Sequence, residues 1–367
     1  KQKTAYEISA CLVGSEMCVR DRSGYYLLRQ GEFAYNKSTS ADSPWGAIKR
    51  LTRYEKGCVS TLYICFALLN ANPDYLVTYY ETNRWHKAVQ MIAAEGARNH
   101  GLLNIAPDDF FDTMVSLPES QAEQQTIGAF FSRLDSLITL HQRKYDKLVI
   151  FKKSMLEKMF PKDGESVPEI RFAGFTDPWE QRKLENLASF GGGHTPSMAD
   201  ASNYVDGKIL WVTSQDVKQH YIENTTTMIS EKGAATLTLY PSDSIVIVAR
   251  SGILRHTIPV AKLRKPATVN QDIKVIQTVD SCDSSWLLQY FIASNKTLLR
   301  EYGKTGTTVE SIDFAKMKST ALMVPYIEEQ QAIGSFFSRL DNLITLHQRK
   351  LELLQNIKKS LLDKMFA

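Results

Sequence analysis

The sequence predicts an α+β protein in which two mixed α/β domains are joined by two long antiparallel helices with pseudo-two-fold symmetry. The segment Glu123–Phe160 returns as Glu329–Phe366, an offset of 206 residues (Ile127 to Ile333), with 27 of 38 aligned positions identical. A repeat of this length indicates a duplicated structural unit. Each copy also carries apolar residues at the spacing of one helical face, with no Pro inside. Each follows a longer stretch in which short apolar runs alternate with turn residues, the pattern of a mixed domain.

The repeat divides the chain into five segments. We expect a first mixed domain at 1–120, a first long helix at 121–160, a linker at 161–180, a second mixed domain at 181–326 and a second long helix at 327–367.

The first mixed domain contains several β-rich runs followed by a helix. The expected strands are Tyr25–Leu28, Glu32–Asn36, Gly46–Leu51 and Val59–Phe66. Asn72-Pro73-Asp74 opens a helix over Tyr75–Glu95, because Pro suits the first helical turn and Gly96 follows the last.

Each long helix needs an apolar partner. About 38 residues at about 1.5 Å each make a rod of roughly 55–60 Å, too long to be covered by one small domain. The other copy is the simplest partner, since matching stripes can close an antiparallel pair. His141 and His347 lie at matching positions, where a hydrogen-bonded pair is favoured over a metal site. The expected seam consists of Ile127, Phe130, Leu134, Leu137, His141, Leu148, Ile333, Phe336, Leu340, Leu343, His347 and Leu354.

The second mixed domain repeats the pattern of the first. Its expected strands are Ile209–Thr213, Ser244–Ala249, Thr257–Ala261 and Ile273–Thr278, followed by a helix over Ser285–Tyr302. Pro178 and Trp179 are expected to anchor its start against the long helices. Aligning the two domains sets Lys1 opposite about Gly207. We therefore expect the natural product to extend upstream and the first domain to be incomplete at its N-terminus.

Composition sets outer limits on function. Lys and Arg number 44 against 40 Asp and Glu, so the net charge of +4 does not by itself indicate a polyanion partner. The five cysteines show no zinc-site spacing and fit free thiols in a reducing compartment. No apolar run of about 18 residues occurs. We expect a cytoplasmic protein without a membrane partner.

Three short motifs could suggest catalysis or ligand binding. Asn72-Pro73-Asp74-Tyr75 resembles the Asn-Pro-Pro-Tyr signature of amino-methyltransferases, but no cofactor loop accompanies it and a helix start is favoured. Gly303-Lys304-Thr305 lacks the earlier Gly of a phosphate loop. Gly191-Gly192-Gly193 is interpreted as a flexible loop able to approach a ligand backbone. The sequence therefore predicts no catalytic, cofactor-binding or metal-binding residues.

Basic and amide side chains recur in the predicted loops of both domains. Arg reads guanine and Asn or Gln reads adenine in the major groove, whereas Lys and Thr more often hold phosphate. The candidate DNA-binding residues are Asn36, Lys37, Lys49, Arg50, Arg98, Asn99, Gln215, Arg250, Arg255, Asn270, Gln271, Lys304 and Thr305.

The whole chain resembles the specificity subunits of type I restriction–modification systems. The resemblance is carried by the twin helices with EQQ-IG-FFSRLD-LITLHQRK, by EIRFAGFTDPWEQRKL at Glu169–Leu184, by GEFAYNKSTS at Gly31–Ser40 and by WGAIKR at Trp45–Arg50. It implies that two target-recognition domains each read one half of a split DNA site and that the helices, a coiled-coil-like spacer, set their separation.

The resemblance also implies a division of labour. The chain itself would be non-catalytic and carry no cofactor. Separate modification subunits would bind S-adenosylmethionine and methylate DNA, and restriction subunits would use ATP and Mg²⁺. Two alternatives remain open: a self-sufficient adenine-specific DNA methyltransferase using Asn72–Tyr75, and a coiled-coil adaptor that does not bind DNA.

Overall fold

A computed structural model describes residues 25–93, 101–162, 164–306 and 309–366, together with the backbone of 2–4 and 9–10. The chain forms two compact units. The first comprises Lys1–Lys144 and His347–Ala367, and the second comprises Tyr145–Leu346. Both are mixed α/β, and each contains part of both long helices. Within the described ranges, no helix combines the length and apolar composition needed to span a bilayer.

The first unit is built around a four-stranded sheet. The strands in spatial order are Ser9–Ala10, Ile64–Leu68, Phe33–Asn36 and Ala47–Arg50. Aromatic rings pack on this sheet, with centroids 5.3 Å apart for Phe33 and Phe66 and 5.1 Å apart for Tyr35 and Phe110. Its other elements are strands Gln2–Thr4, Tyr25–Arg29, Lys56–Ser60 and Met114–Ser116, and helices Pro73–Tyr80, His86–Ile92 and Pro107–Phe111.

The second unit contains a five-stranded and a three-stranded sheet. The five-stranded order is Ala188–Gly192, Ile273–Thr278, Ile245–Val248, Val260–Leu263 and Tyr221–Ile222, and the three-stranded order is Met228–Ile229, Ile209–Val212 and Ala267–Val269. Ile245–Val248 is buried along its whole length, as expected for an apolar central strand. The remaining elements are strands Glu180–Lys183, Gly303–Lys304, Ser311–Ile312 and Ala321–Val324, helices Glu231–Ala234, Ser284–Ala293, Asn295–Tyr302 and Phe314–Lys318, and 3₁₀ turns Leu184–Asn186, Ala201–Asn203 and Gly252–Arg255.

Several predicted elements are interrupted in the structure. The predicted strand Val59–Phe66 is two strands, because a turn intervenes between Ser60 and Ile64. The predicted helix Tyr75–Glu95 was also wrong, since the first helix ends at Tyr80 and a second begins at His86.

The second unit shows two comparable differences. Ser294 breaks the predicted helix Ser285–Tyr302 into two helices. The strand expected over Thr257–Ala261 begins only at Val260, after Pro259, whose ring removes a backbone donor. Among the cysteines, Cys65 and Cys282 are free and buried, whereas Cys58 is disulfide-bonded, so the free-thiol expectation is wrong for Cys58.

The first long helix spans Gln121–Lys158 and the second spans Ile327–Met365. Within each unit their segments run in opposite directions. In the first unit Asp135 bonds Lys358 and the more C-terminal His141 bonds the more N-terminal His347. Of the expected seam residues, Leu134, Ile333 and Leu340 are buried and Phe130, Leu137 and Leu343 are exposed, while Ile127, His141, Leu148, Phe336, His347 and Leu354 are half-buried.

A buried glutamine ties each mixed domain to the long helix that follows it. Gln124 Oε1 accepts from the backbone N–H of Asn72, and its Nε2 donates to the Pro118 carbonyl, both at 2.9 Å. Gln330, 206 residues later, accepts from the Asp283 N–H at 2.8 Å and donates to the Pro325 carbonyl at 2.9 Å. The duplicated helices therefore dock their domains through the same side chain.

A glycine on each long helix permits close approach of a short helix. A Cβ added at Gly128 would lie 2.5 Å from Tyr75 N, and one added at Gly334 would lie 2.5 Å from Asp283 Oδ1. Asn72 and Asp283 cap the two short helices that approach these glycines. The Asn72 side chain accepts from Asp74 N and Tyr75 N, so the Asn-Pro-Asp-Tyr motif starts a helix.

Phenylalanines near the ends of the long helices complete the docking. Phe160 packs beside Trp179 and Trp286, with ring centroids 6.2 and 6.5 Å away. Phe366 packs beside Tyr75, with centroids 5.5 Å apart. Trp179 therefore anchors the start of the second mixed domain, as the sequence predicted, whereas Pro178, which was expected to share this role, is exposed.

Candidate nucleic-acid interface

Three loops of the second unit meet where strands of the five-stranded sheet end. Gly192, the last residue of its strand, pairs with Lys274 near the start of Ile273–Thr278. Val248, also last in its strand, pairs with Ile273. The loops that follow Gly192 and Val248 and the loop that precedes Ile273 therefore lie at one edge.

The three-stranded sheet adds a fourth loop to this edge. Val212 and Val269 pair in parallel as the last residues of their strands, so the loops that follow them emerge on the same side. The Asn270 N–H donates to the Val212 carbonyl at 3.0 Å. Residues 270–272 thus connect strand Ala267–Val269 of the three-stranded sheet to strand Ile273–Thr278 of the five-stranded sheet, and they bring the loops of the two sheets together.

A hairpin of Gly303–Lys304 and Ser311–Ile312 completes the edge. Ser311 forms a bridge with Arg250, and the Ile312 N–H donates to the Ala249 carbonyl at 2.9 Å. We call the assembled surface the loop edge, consisting of residues 193–200, 213–220, 249–258, 270–272 and 303–312, without 307–308. It contains all the sequence-predicted site residues of the second mixed domain.

Some of these side chains are available for a ligand. Gln215, Arg250 and Thr305 are exposed, and their side chains have no hydrogen-bond or ion-pair partner within the described part of the chain. Gln271 is exposed, and its Oε1 accepts from Thr195 Oγ1 at 2.6 Å. This bond orients the amide, so that its nitrogen can still donate to a ligand.

Other predicted site residues already have partners. Asn270 is buried; its Oδ1 accepts from the Asp272 N–H and its Nδ2 donates to the Asp272 carboxylate. Lys304 pairs with Asp313 at 2.8 Å, and this contact lowers the pKa of the Asp313 carboxyl. Arg255 pairs with Glu310, whose carboxyl pKa is lowered by the hydrogen bond from the guanidinium. Asn270 thus shapes the loop.

The three glycines at the start of this edge serve packing. Gly191 and Gly192 lie in a strand, and a Cβ at Gly191 would lie 2.1 Å from the Tyr240 hydroxyl. A Cβ at Gly193 would lie 1.8 Å from the Val269 carbonyl oxygen. The prediction of a flexible loop is therefore wrong for Gly191 and Gly192, because both lie in a strand. The groups that come close to Gly191 and Gly193 belong to the protein itself and not to a ligand.

A basic groove of about 910 Å³ adjoins the loop edge. Gln215 and Lys218 line it from the loop edge, Lys153 from the first long helix and Lys296 from the helix Asn295–Tyr302. These lysines are exposed, and Glu157 is the acidic residue of the lining. The groove thus places an excess of lysines beside the loop edge, which suits a polyanion.

The first unit has a comparable edge at the end of strand Phe33–Asn36. Lys37 Nζ donates to the Ile105 carbonyl at 3.1 Å, and burial lowers the pKa of this lysine. Asn36 Oδ1 accepts from the Ser38 N–H. Arg98 and Asn99 lie outside the described residues.

Lys49 and Arg50 lie away from this edge. Arg50 pairs with Phe33 across the strands, at the opposite end from Asn36. Its guanidinium donates to the Asp74 carboxylate at 2.8 Å, at the start of the short helix that approaches Gly128. Lys49 is exposed. The structure therefore does not bring these two residues together with Asn36 and Lys37.

Sequence reasoning missed Thr195 and Glu310, which orient Gln271 and Arg255. Neither residue stands in a recognisable motif, and their partners are 76 and 55 residues away in the chain. Within the described ranges, no cluster of three or more His, Cys, Asp and Glu side chains could hold a metal ion.

Comparisons with known proteins match this chain to one family. Residues 176–356 match the family model described as the type I restriction modification DNA specificity domain. The chain is 31% identical over 166 residues to the type I restriction enzyme EcoR124I/EcoR124II specificity subunit of Escherichia coli, covering 45% of this chain and 41% of that protein. It is 29% identical over 196 residues to the MjaIX specificity subunit of Methanocaldococcus jannaschii, covering 51% and 44%. The chain thus spans less than half the length of these two relatives.

A solved structure supports the fold over nearly the whole chain. The crystal structure of the type I restriction-modification system S subunit from M. genitalium covers 99% of this chain and 94% of its own, with a TM-score of 0.58 and 12% identity. At that identity the likeness shows the fold.

Proposed function

We propose that this chain, whose residues 176–356 match the type I restriction modification DNA specificity domain, is a specificity subunit that selects the DNA sequence on which a type I restriction–modification complex acts. The observation that carries the proposal is the loop edge of the second unit. There, side chains from loops far apart in sequence converge on one exposed surface, and Gln215, Arg250 and Gln271 are free to donate to bases. Arg and Gln are residues that distinguish base pairs in the major groove.

The duplication supports a split target. Gln124 and Gln330 make the same docking contacts in the two units, so each unit joins a mixed domain to a long helix in one way. Two related domains would read two half-sites on one duplex, as dimeric readers do. In this proposal the target-recognition domains are 1–120 and 181–326, the linker is 161–180, and the antiparallel helices at 121–160 and 327–367 set the gap.

The chain is proposed to be non-catalytic. If the chain were itself an adenine methyltransferase, the Asn72 side chain would have to bind the adenine. Here this side chain caps a helix instead. Methylation would come from modification subunits that bind S-adenosylmethionine, and cleavage from restriction subunits that use ATP and Mg²⁺. The chain would hold no cofactor itself and would act in the cytoplasm, where the cellular DNA lies.

Selection from a random duplex library tests the proposal. The full-length chain, alone and with its modification subunits, should enrich two short specified blocks separated by an unspecified gap. One uninterrupted block, or no enrichment even with the modification subunits, would refute it.

A matched pair of arginine variants connects binding to the loop edge. Arg250→Gln should weaken binding, and the wild-type affinity should fall with rising salt concentration. Arg264→Gln is the control. Arg264 is exposed and stacks on Tyr221, and it follows strand Val260–Leu263 at the end of the sheet opposite to the loop edge. If the two substitutions change the affinity for DNA equally, the loop edge is not part of the DNA interface.

A further inference from the structure

The loop edge contains an arginine that is held in place by a carboxylate. Arg255 ends the 3₁₀ turn Gly252–Arg255, and its Nε donates to Glu310 Oε1. The Arg255 side chain is 65% exposed, whereas that of Glu310 is 12% exposed. The pair therefore has an inner member within the fold and an outer member that faces solvent.

The inner member is itself fixed by backbone contacts. The Glu310 carbonyl accepts from the Ser251 N–H at 3.0 Å, so the backbone of Glu310 is bonded to the turn that carries Arg255. The next residue, Ser311, bridges to Arg250. Arginine and carboxylate thus belong to two segments of chain whose backbones are bonded to each other beside the contact.

Only one edge of the guanidinium is occupied. Glu310 is bonded through Oε1 to Nε, while its Oε2 is buried without a hydrogen-bond partner. Arg255 Nη1 and Nη2 have no partner among the residues that the structure describes. The guanidinium is planar, so fixing Nε also fixes the direction in which these two groups donate.

We infer that Arg255 reads a guanine of the half-site bound by the second unit and that Glu310 is its positioning residue. Two parallel N–H groups match the O6 and N7 acceptors of guanine in the major groove, a pair that the other bases do not present. A buttressed arginine also loses less side-chain freedom on binding than a free one. This inference rests on the proposed function and adds to it one base and one residue.

A phosphate contact is the competing role for the same side chain. Lys and Arg both hold phosphate, whereas the two fixed, parallel N–H groups that match O6 and N7 of guanine come from the planar fork, and a rotating ammonium group reads guanine less selectively. Arg255→Lys keeps the charge and removes the fork. The two roles are therefore separated by base preference rather than by affinity alone.

The test is duplex selection with the full-length chain and its modification subunits, comparing wild type with Arg255→Lys, Glu310→Gln and Arg264→Lys. In wild type, one position of one block should be guanine. Arg255→Lys should lower the preference for that guanine by about tenfold while the other positions stay specified, since a bidentate pair contributes about 1–3 kcal/mol of discrimination. Glu310→Gln should weaken the same position, and Arg264→Lys should change none.

Each remaining outcome bears on one of the two proposals. If Arg255→Lys lowers affinity while every base preference is retained, Arg255 contacts phosphate and the inference is overturned, whereas the proposed function stands. An unchanged selection in Arg255→Lys overturns it equally. Failure of the wild-type complex to select any sequence refutes both proposals. Circular dichroism of Glu310→Gln checks folding, and the exposed Arg255→Lys variant carries the decision if Glu310→Gln misfolds.

Discussion

The Nδ1 atoms of His141 and His347 lie 2.9 Å apart in the first unit. At this distance one ring must donate and the other accept, so at least one ring nitrogen is unprotonated. Burial lowers the pKa of His347, and His141, Lys144 and Lys350 lower it further. The matched histidines of the two long helices are therefore a hydrogen-bonded pair, as the sequence predicted.

This pair should make stability depend on pH. The unfolded chain protonates His347 as the pH falls through about 6.5, whereas the folded chain resists protonation to lower pH. The unfolded state then binds more protons, so the free energy of unfolding should be unaffected at pH 8 and should decrease between pH 7 and 5. His347→Gln should show a shallower decrease in urea titrations at each pH.

The control for this prediction is His194→Gln. His194 is exposed and contacts Thr236 in the second unit. Its substitution should leave the pH profile of stability unchanged. If His347→Gln and the wild type lose stability in parallel as the pH falls, the histidine pair is not the cause.

Gln330 should be essential for docking of the second mixed domain. It is buried, and Leu in its place would leave the Asp283 N–H and the Pro325 carbonyl without their partners. An unsatisfied buried group costs about 1–3 kcal/mol, so Gln330→Leu should lower the free energy of unfolding by at least that amount in urea titrations followed by tryptophan fluorescence. Gln331→Leu, at the exposed neighbouring position, is the matched control and should be nearly neutral.

Gly334→Ala should destabilise the protein even though Ala is the better helix former. In an open helix the change would stabilise by up to about 1 kcal/mol. Here the new methyl group would lie 2.9 Å from Trp286 N and 2.5 Å from Asp283 Oδ1, so we expect a net loss of about 1–3 kcal/mol. Thermal denaturation checks this result, with Ser335→Ala on the exposed side as control. A rise in melting temperature for Gly334→Ala would contradict the close approach.

Lys152 and Asp341 form a nearly buried ion pair in the second unit, with 2.6 Å between Nζ and Oδ1. Lys152→Met should destabilise by about 3–5 kcal/mol, because Asp341 would keep a buried charge without its cation. The double variant Lys152→Met/Asp341→Leu should recover part of that loss. A double-mutant cycle in urea measures the coupling, and Lys153→Met, at an exposed position, should be neutral. Additive losses would show that the two residues do not interact.

The repeat made the long helices predictable from sequence, because their apolar spacing is local and occurs twice. The first long helix begins at Gln121, as predicted, and ends at Lys158 rather than Phe160, a difference within ordinary fraying of helix ends. The burial of individual residues was harder to foresee. Phe130 and Phe131 are adjacent and equally apolar, yet Phe130 is 46% exposed and Phe131 fully buried. The two side chains point in different directions from the helix, and Phe131 packs beside Phe366, with ring centroids 6.4 Å apart.

The loop edge could be predicted in its residue types but not in its assembly. Arg250 and Gln271 were plausible base readers as isolated side chains. Their proximity follows from the pairing of Val248 with Ile273, a contact between strands that are not consecutive in the chain. Sequence spacing carries no information on that order. The partner of Arg255 was likewise invisible, so its orientation emerged only from the structure.

The most direct test of the central claim is the methylation pattern of cellular DNA. Cells that express this chain with its modification subunits should carry methylated adenines in a motif of two specified blocks with a gap of constant length, and the motif should vanish when the chain is deleted. An uninterrupted motif, or a methylation pattern that persists without the chain, would contradict the claim that this protein selects a split DNA target.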